Sequence, residues 1–279
     1  MDLGLENKVA LIAGGSSGIG LAVATELARE GAHVAIAARD ADRLQAAVRG
    51  LRDVAPGGRI TGATVELTDS EAARRWVDEV AAEFGALHIL LVSGSSPPIG
   101  PATRFQPSDY QAAVEKVLYP AVTLALAAVP HLRAAGWGRL LFVASETAVA
   151  PIAPLTLSGV TRAAVLRLAQ GLAADLGPDG ITVNVLAPGS VRTPPMERAA
   201  ARMTPDGADI KATLAAIGAH SALGRLAEPE EVGAVAAFLA SERASFVTGA
   251  VHLIDGGASA VGPDLPHLTG TAPGTFTFT

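Results

Sequence analysis

The sequence lacks cysteine altogether and contains few aromatic residues. With no cysteine among 279 residues, disulfide bridges and thiolate metal sites are excluded. Aromatic residues make up 4% of the chain, and Trp76 and Trp137 are interpreted as packing or surface residues rather than as a recognition platform. The histidines show no metal-ligand spacing, so we predict no catalytic metal.

The chain also lacks a basic segment and a long uninterrupted apolar run. Its net charge is −6, which argues against a nucleic-acid partner or an anionic membrane surface. The longest apolar stretch, Val117 to Val129, contains Pro120 and Thr123 and is too short to span a bilayer. The first residues carry no basic start followed by an apolar stretch, so no secretion signal is predicted. We therefore expect a cytoplasmic protein without membrane contact.

What the sequence has is a regular alternation of short β-branched runs with longer segments of helical period. Most of the apolar runs are continuous, as strands covered on both faces require. Strands are predicted at Val9–Ala13, Val34–Ala38, Ile60–Leu67, Ile89–Val92, Leu140–Ala144, Thr182–Ala187 and Val251–Ile254. Helices are predicted near Gly18–Glu30, Asp40–Arg49, Ser70–Phe84, Ser108–Ala135, Leu155–Leu176 and Pro229–Ala240. Thr68 to Glu71 fits a capping box, and Pro229 fits a first-turn proline.

This order predicts a single-domain α/β fold of the Rossmann-like type. Strand–helix alternation with crossovers of this length favours a doubly wound, parallel, seven-stranded sheet with helices on both faces. The domain is predicted to cover residues 1–260, and residues 261–279 form a C-terminal tail extension rich in Gly, Pro and Thr. Residues 190–223 interrupt the alternation of strands and helices, and we interpret them as a lid over the substrate.

A glycine-rich loop follows the first predicted strand and opens the first predicted helix. Gly14 permits a sharp turn, Gly18 lets the backbone approach a phosphate, and Gly20 allows tight helix–strand packing. Its position at the head of a βαβ unit makes the motif specific for a dinucleotide. The residues predicted to face the pyrophosphate are Gly14, Ser16, Ser17, Gly18, Ile19 and Gly20.

The end of the second predicted strand bears on the choice of cofactor. An acidic residue there would bind the ribose hydroxyls of NAD, but the residue at that position in this chain is Ala38. The next residue, Arg39, can neutralise the 2′-phosphate of NADP. Arg39 also fits a solvated charge, and Asp40 could partly neutralise it. We expect NADP rather than NAD.

Several motifs in the right order make the chain resemble the short-chain dehydrogenases/reductases, of the single-domain type that includes 3-oxoacyl-carrier-protein reductases. Besides the glycine loop they are Val65 to Asp69, Asn184 to Gly189, Leu223 to Leu226, Val247 to Gly249 and Asp255 to Gly257. The resemblance implies adenine contacts for Glu66 and Leu67, and further cofactor contacts for Ser93, Gly94 and Ser95. It implies a nicotinamide site lined by Pro188, Gly189, Val191 and Thr193. It also implies a homodimer or homotetramer built on the two longest helices.

The chain departs from that family at the catalytic positions. Ser145 stands where the family has its catalytic serine, but Ser158 replaces the tyrosine and Arg162 replaces the lysine. The asparagine that anchors a proton-relay water aligns with Val117. A serine hydroxyl is a far weaker acid than a phenol, whereas Arg162 stays charged and can hold ribose hydroxyls or an oxyanion. His220 could serve as a substitute acid, although a solvated loop histidine fits its position better. Glu146 could enter the pocket, and it fits a carboxylate at the rim equally well.

Three functions remain open for these residues. The first is an NADP-dependent reductase of a small-molecule carbonyl, such as a 3-oxoacyl group or another ketone or enone, using Ser145, Ser158 and Arg162. The second is a cofactor-binding protein with vestigial or no redox activity. The third is a non-redox lyase, cyclase or dehalogenase, and the intact glycine loop argues against it, because the halohydrin dehalogenases that resemble this family have lost that loop.

Overall fold

The computed structural model describes residues 2–55 and 57–261 and shows a parallel seven-stranded sheet. The strands lie in the order β3-β2-β1-β4-β5-β6-β7, and every neighbouring pair is parallel. The strands are β1 Val9–Ala13, β2 His33–Ala38, β3 Ile60–Thr64, β4 Ile89–Ser93, β5 Gly138–Val143, β6 Ile181–Pro188 and β7 Val251–Ile254. The order reverses between β1 and β4, which is where doubly wound sheets bind their ligands. The predicted fold class is confirmed.

Helices connect the strands and cover both faces of the sheet. They are α1 Gly18–Arg29, α2 Ala41–Val54, α3 Ser70–Phe84, α4 Pro107–Ala135, α5 Thr156–Leu176, α6 Pro194–Met203, α7 Ile210–Gly218, α8 Pro229–Ala240 and α9 Ala258–Val261. Alternate residues of each strand face opposite sides, so the apolar runs build two cores. One core packs against α3, α4 and α5, and the other packs against α1, α2 and α8.

The predicted end of the third strand and the predicted cap of α3 were wrong, whereas α3 itself has the predicted bounds. The third strand ends at Thr64 instead of Leu67, and the chain beyond Val65 leaves the sheet. The predicted capping box does not form, because the N-cap of α3 is Asp69, whose carboxylate accepts the N–H groups of Glu71 and Ala72. A short carboxylate is a better N-cap than a threonine hydroxyl one residue earlier. Pro229 does occupy the first turn of α8.

Helix α4 is long and apolar enough, by length and composition, to cross a membrane. In the fold its buried residues, among them Val117, Ala121 and Leu124, belong to the core under the sheet. Helix α4 is therefore apolar because it packs in the core of the protein.

The segment predicted as a lid folds into a small layer of its own. Helices α6 and α7 pack on each other through a cluster of Ala200, Leu214 and Leu226. Arg192 Nε donates to Glu228 at 2.9 Å, and Arg225 forms two hydrogen bonds to the carboxylate of Glu231. These ion pairs tie both ends of the segment to the start of α8. The predicted tail lies, apart from Val261, outside the described residues, and its role stays a prediction.

Candidate active site

The loop between β1 and α1 is closed so tightly that two of its positions accept only glycine. Gly14 has φ +80°, and a Cβ built on it would lie 2.5 Å from the carbonyl oxygen of Ser93 at the end of β4. A Cβ on Gly20 would lie 2.2 Å from the carbonyl oxygen of Gly14. The loop therefore packs against the switch point of the sheet without any side chain between.

The N-terminus of α1 is prepared for an anion. Its N-cap residue Ser17 makes no side-chain hydrogen bond to the helix, and no acidic residue lies in the first turn. The first N–H groups of the helix and its dipole are then available to a phosphate. Gly18 has φ +54°, and a Cβ there would lie 3.1 Å from the methyl group of Thr193. This close approach joins the loop to the start of the lid, and the cradle fits the pyrophosphate of a dinucleotide.

Arg39 lies at the C-terminal end of β2, beside the predicted adenosine end of the cradle. Its side chain is 72% exposed, and its Nη1 lies 3.9 Å from a carboxylate oxygen of Glu66. Asp40 is engaged elsewhere, because it caps α2 and its carboxylate accepts from Arg43 Nε at 2.9 Å. The neighbour that partly neutralises Arg39 is therefore Glu66, not Asp40 as the sequence suggested. Leu67 packs partly buried against the adjoining core.

Ser145 and Ser158 are joined through a residue that the sequence did not single out. Ser145 Oγ accepts the N–H of Thr147 at 3.2 Å, and Thr147 Oγ1 lies 3.2 Å from Ser158 Oγ. Ser145 follows β5 and Ser158 lies in the first turn of α5, so Thr147 connects the strand end to the helix. Among the described residues no group accepts the hydroxyl hydrogen of Ser145, which is left to donate to a ligand.

Arg162 is a buried cation held by backbone carbonyl groups. It is only 7% exposed, and its Nη1 and Nη2 donate to the carbonyl oxygens of Val143 and Ser95 at 2.8 and 3.0 Å. Burial lowers the pKa of Arg162 to about 10, so it remains charged at neutral pH. Within the described ranges it forms no ion pair with a carboxylate. The guanidinium joins the loop after β4 to the end of β5 and supplies positive potential there.

Glu146 is a second buried charged residue at the same sheet edge. It directly follows Ser145 and is 8% exposed. Burial and, second, the negative charge of Asp255 raise the pKa of Glu146 to about 7. From the sequence, Glu146 could lie either inside the pocket or at its rim, and in the structure it is buried. The neighbouring Asp255, which follows β7, was not foreseen as part of this site, since only the folded sheet brings the two together.

The remaining predicted residues take the positions that the strand order gives them. Pro188 ends β6 and is buried, Gly189 and Val191 follow it, and Thr193 caps α6. Ser93 ends β4, and Gly94 and Ser95 follow as exposed residues. Val117 is buried in α4, as its place in the core requires. His220 is exposed after α7. Among the described residues, no group of His, Asp and Glu side chains could hold a metal ion.

Fold and site together define a dinucleotide-binding protein whose C-terminal sheet edge carries a free serine hydroxyl. Residues 13–259 match the sequence profile of a family described as enoyl-(acyl carrier protein) reductase. The chain is 35% identical to cis-4-hydroxycyclohexanecarboxylate dehydrogenase of Sinomonas cyclohexanicum, with 91% of this chain and 97% of that protein covered. It is 32% identical to 3alpha-hydroxysteroid dehydrogenase of Mediterraneibacter gnavus, with 91% and 98% covered.

Solved structures agree with these relatives. L-sorbose reductase from Gluconobacter frateurii, complexed with NADPH and L-sorbose, superposes with a TM-score of 0.89 at 35% identity. The match covers 93% of this chain and 99% of that one. The chain belongs to the short-chain dehydrogenase/reductase family. The three relatives named above are oxidoreductases.

Proposed function

We propose that the protein is an NADP-dependent reductase of a small-molecule carbonyl compound, with an active site in which Ser158 and Arg162 replace the family's tyrosine and lysine. The observation that carries the proposal is the hydroxyl of Ser145, which accepts from Thr147 and has its own hydrogen free at the edge where the cofactor cradle opens. The relatives support a ketone or secondary alcohol as substrate, since they include a hydroxycyclohexanecarboxylate dehydrogenase, a hydroxysteroid dehydrogenase and a sorbose reductase.

In the proposed reaction, separate groups of residues bind the cofactor and the substrate carbonyl. Once bound, the reduced cofactor supplies the hydride that the carbonyl carbon accepts. The loop residues Gly14 to Gly20 hold its pyrophosphate, and Pro188, Gly189, Val191 and Thr193 line its nicotinamide end. Ser145 donates to the substrate oxygen and orients the carbonyl. Arg162 is bonded to the carbonyl group of Val143, two residues before Ser145. Its charge stabilises the negative charge that develops on the substrate oxygen, and its remaining N–H groups hold ribose hydroxyls.

The experiment that tests this function measures carbonyl-dependent oxidation of NADPH by the purified protein. The panel contains 4-oxocyclohexanecarboxylate, a 3-oxosteroid, L-sorbose and a 3-oxoacyl thioester, with NADH in place of NADPH as the comparison. We expect turnover of at least one ketone. Binding of NADPH without turnover on any member would contradict the reductase.

A cofactor-binding protein without redox activity is the second candidate. The observation in its favour is that both terminal nitrogens of Arg162 donate to backbone carbonyl groups, while Ser158 is bonded to Thr147. These contacts suit a structural role for both residues. If this alternative holds, a fluorescence titration shows that the protein binds NADPH. The rate of NADPH oxidation with each carbonyl compound then equals the rate in buffer without protein.

The preference for NADP gives a prediction for Arg39. We expect Arg39→Ala to weaken NADPH binding by about 1–2 kcal/mol, roughly 5–30-fold, because it removes a charge-assisted hydrogen bond to the 2′-phosphate at an exposed position. NADH binding should stay the same. Fluorescence titration of both cofactors measures the two dissociation constants, and Arg75→Ala on α3 is the matched control. Equal affinity of the unmodified protein for NADPH and NADH would contradict the assignment.

We further propose a cytoplasmic homodimer or homotetramer that pairs α4 and α5 with their copies. Tyr119 and Leu126 lie two turns apart on one face of α4 and are 56% and 58% exposed, and Val160 on α5 is 49% exposed. Large apolar residues in such a row favour burial against a partner. Light scattering at micromolar concentration should give the mass of two or four chains, and Leu126→Glu should reduce it. A monomeric unmodified protein would overturn this assembly.

A further inference from the structure

Glu146 is a buried carboxyl group to which the function above assigns no task. It is 8% exposed, and none of the described residues forms a hydrogen bond with its carboxylate. Among the described residues, the fully enclosed side-chain atoms without a partner are Thr182 Oγ1 and His252 Nε2, so the carboxylate oxygens of Glu146 remain reachable from the solvent. The residue before it, Ser145, carries the hydroxyl that we assign to the substrate oxygen.

The fold makes a specific place for this carboxyl group between the ends of β5, β6 and β7. A Cβ built on Gly189 would lie 3.2 Å from Glu146 Oε2, and 2.9 Å from the Cα of Asp255. Any larger residue at 189 would therefore push against both. Gly189 is one of the residues predicted to line the nicotinamide end. Under the proposed function, Glu146 Oε2 therefore lies beside the backbone that lines the nicotinamide end.

The charges around Glu146 favour its neutral form. Asp255, the charged neighbour after β7, accepts the N–H groups of Gly257 and Ser259 and remains ionised, because those hydrogen bonds lower its pKa. Arg162 on α5 is held by the carbonyl groups of Val143 and Ser95, and does not pair with Glu146. The segment after α7 packs on Gly256 and Gly257 through uncharged residues, namely Ser221, Ala222 and Leu223.

We propose that Glu146 is the acid that supplies the proton taken up by the substrate oxygen, in place of the tyrosine that the family uses. This inference rests on the proposed reductase function. As the carbonyl carbon accepts the hydride, the electron pair of the C=O π bond moves to oxygen. The oxygen takes the proton of the Glu146 carboxylic acid while Ser145 holds it, which leaves an alcohol and the Glu146 carboxylate. Solvent returns a proton to the carboxylate before the next turnover.

The other candidates for this proton are poorer acids or lie in the wrong place. Ser145 and Ser158 have hydroxyl groups that ionise far above neutral pH, and Arg162 stays charged. His220 is exposed in the lid segment. A catalytic acid works best when its pKa lies near the operating pH, and the pKa of Glu146, raised by burial to about 7, meets that condition.

The first test compares Glu146→Gln with the unmodified protein. Glutamine keeps the shape of the side chain but has no acidic proton, so we expect kcat for ketone reduction to fall about 10²-fold or more. The dissociation constant of NADPH should change less than about twofold. Glu146→Asp should recover part of the loss. Glu79→Gln, at an exposed position of α3, is the matched control and should leave kcat unchanged.

The pH profile separates a proton donor from a merely structural residue. Because the acid must be protonated, kcat for reduction should fall as the pH rises through about 7, and Glu146→Gln should lack this decrease. Asp255→Asn removes a negative charge that raises the pKa of Glu146. It should therefore shift the decrease to lower pH.

A measurement without cofactor tests the buried acid independently. The pKa of Glu146 in the folded protein lies above its ordinary value of 4.5, so the stability present at low pH is lost as Glu146 ionises. Relative to Glu146→Gln, the unmodified protein should lose thermal stability as the pH rises from about 4.5 through about 7.

The outcomes distinguish the two proposals. If none of the carbonyl compounds of the panel makes the unmodified protein oxidise NADPH, the reductase function fails, and the role of Glu146 fails with it. If ketone reduction occurs but Glu146→Gln keeps both kcat and the decrease near neutral pH, only the role of Glu146 is overturned. The same holds if the stability difference follows pH while the kinetics of Glu146→Gln are unchanged, since Glu146 is then a buried acid that donates no proton.

Discussion

Ser145→Ala should lower kcat for ketone reduction by about 10²–10³-fold, the effect of removing one preorganised donor to a developing oxyanion. The hydroxyl of Ser145 is a donor with a free hydrogen at this edge, and its place after β5 is fixed by the sheet. The NADPH dissociation constant should stay the same, because the cradle between β1 and α1 is untouched. Steady-state kinetics on the best ketone of the panel and a fluorescence titration measure both quantities.

Two control variants separate this effect from loss of structure. Ser145 Oγ also caps the short turn that follows β5 by accepting the N–H of Thr147, so alanine costs about 1 kcal/mol of stability. Ser145→Thr keeps both the hydroxyl and the cap and should retain much of the turnover. Ser108→Ala, at an exposed position of α4, should change nothing. If Ser145→Ala kept its full kcat, Ser145 would not be the group that binds the substrate oxygen.

The fold could be predicted largely because the apolar runs have a simple cause. Strands that are covered on both faces are mainly apolar, and β1 and β4 stand out in the sequence for that reason. The predicted cap of α3 was wrong because side-chain hydrogen bonds decide which residue caps a helix. Asp69 rather than Thr68 caps α3, a competition between neighbouring oxygen acceptors that spacing alone does not resolve.

The site was predictable where a motif is contiguous and not where strand ends meet. The glycine loop and Ser145 each lie in one short segment, so the sequence indicates them. Thr147 was missed because its role depends on the approach of α5 to the end of β5. The influence of Asp255 on Glu146 requires β5, β6 and β7 to lie side by side, which only the sheet order establishes.

The electrostatic partner of Arg39 shows the same limit. Asp40 is adjacent in sequence, and yet its carboxylate is used by α2 as an N-cap and by Arg43. Glu66 comes close instead, because β2 and β3 are neighbours in the sheet and both chains continue past their ends. An exposed pair at 3.9 Å contributes little to stability, so Arg39 can exchange Glu66 for a phosphate at small cost.

Gly14→Ala should abolish dinucleotide binding and lower the free energy of unfolding by about 3 kcal/mol or more, since it combines a strained φ with a backbone clash. Gly14 has φ +80°, which an L-residue adopts only with strain, and the added Cβ would lie 2.5 Å from the carbonyl oxygen of Ser93. Relief requires β4 and the loop to move apart, and this displaces the first N–H groups of α1 from the phosphate.

Gly50→Ala is the matched control for that prediction. Gly50 lies within α2 with nothing within 4 Å of an added Cβ, so alanine should raise stability by about 0.5–1 kcal/mol through its better helix propensity. Denaturant unfolding measures both variants, and a titration with NADPH measures the first. A Gly14→Ala protein that binds NADPH with unchanged affinity would show that the loop does not form the pyrophosphate cradle. NADPH would then bind without the tight packing of this turn against β4, and the assignment of its pyrophosphate to the residues from Gly14 to Gly20 would fail.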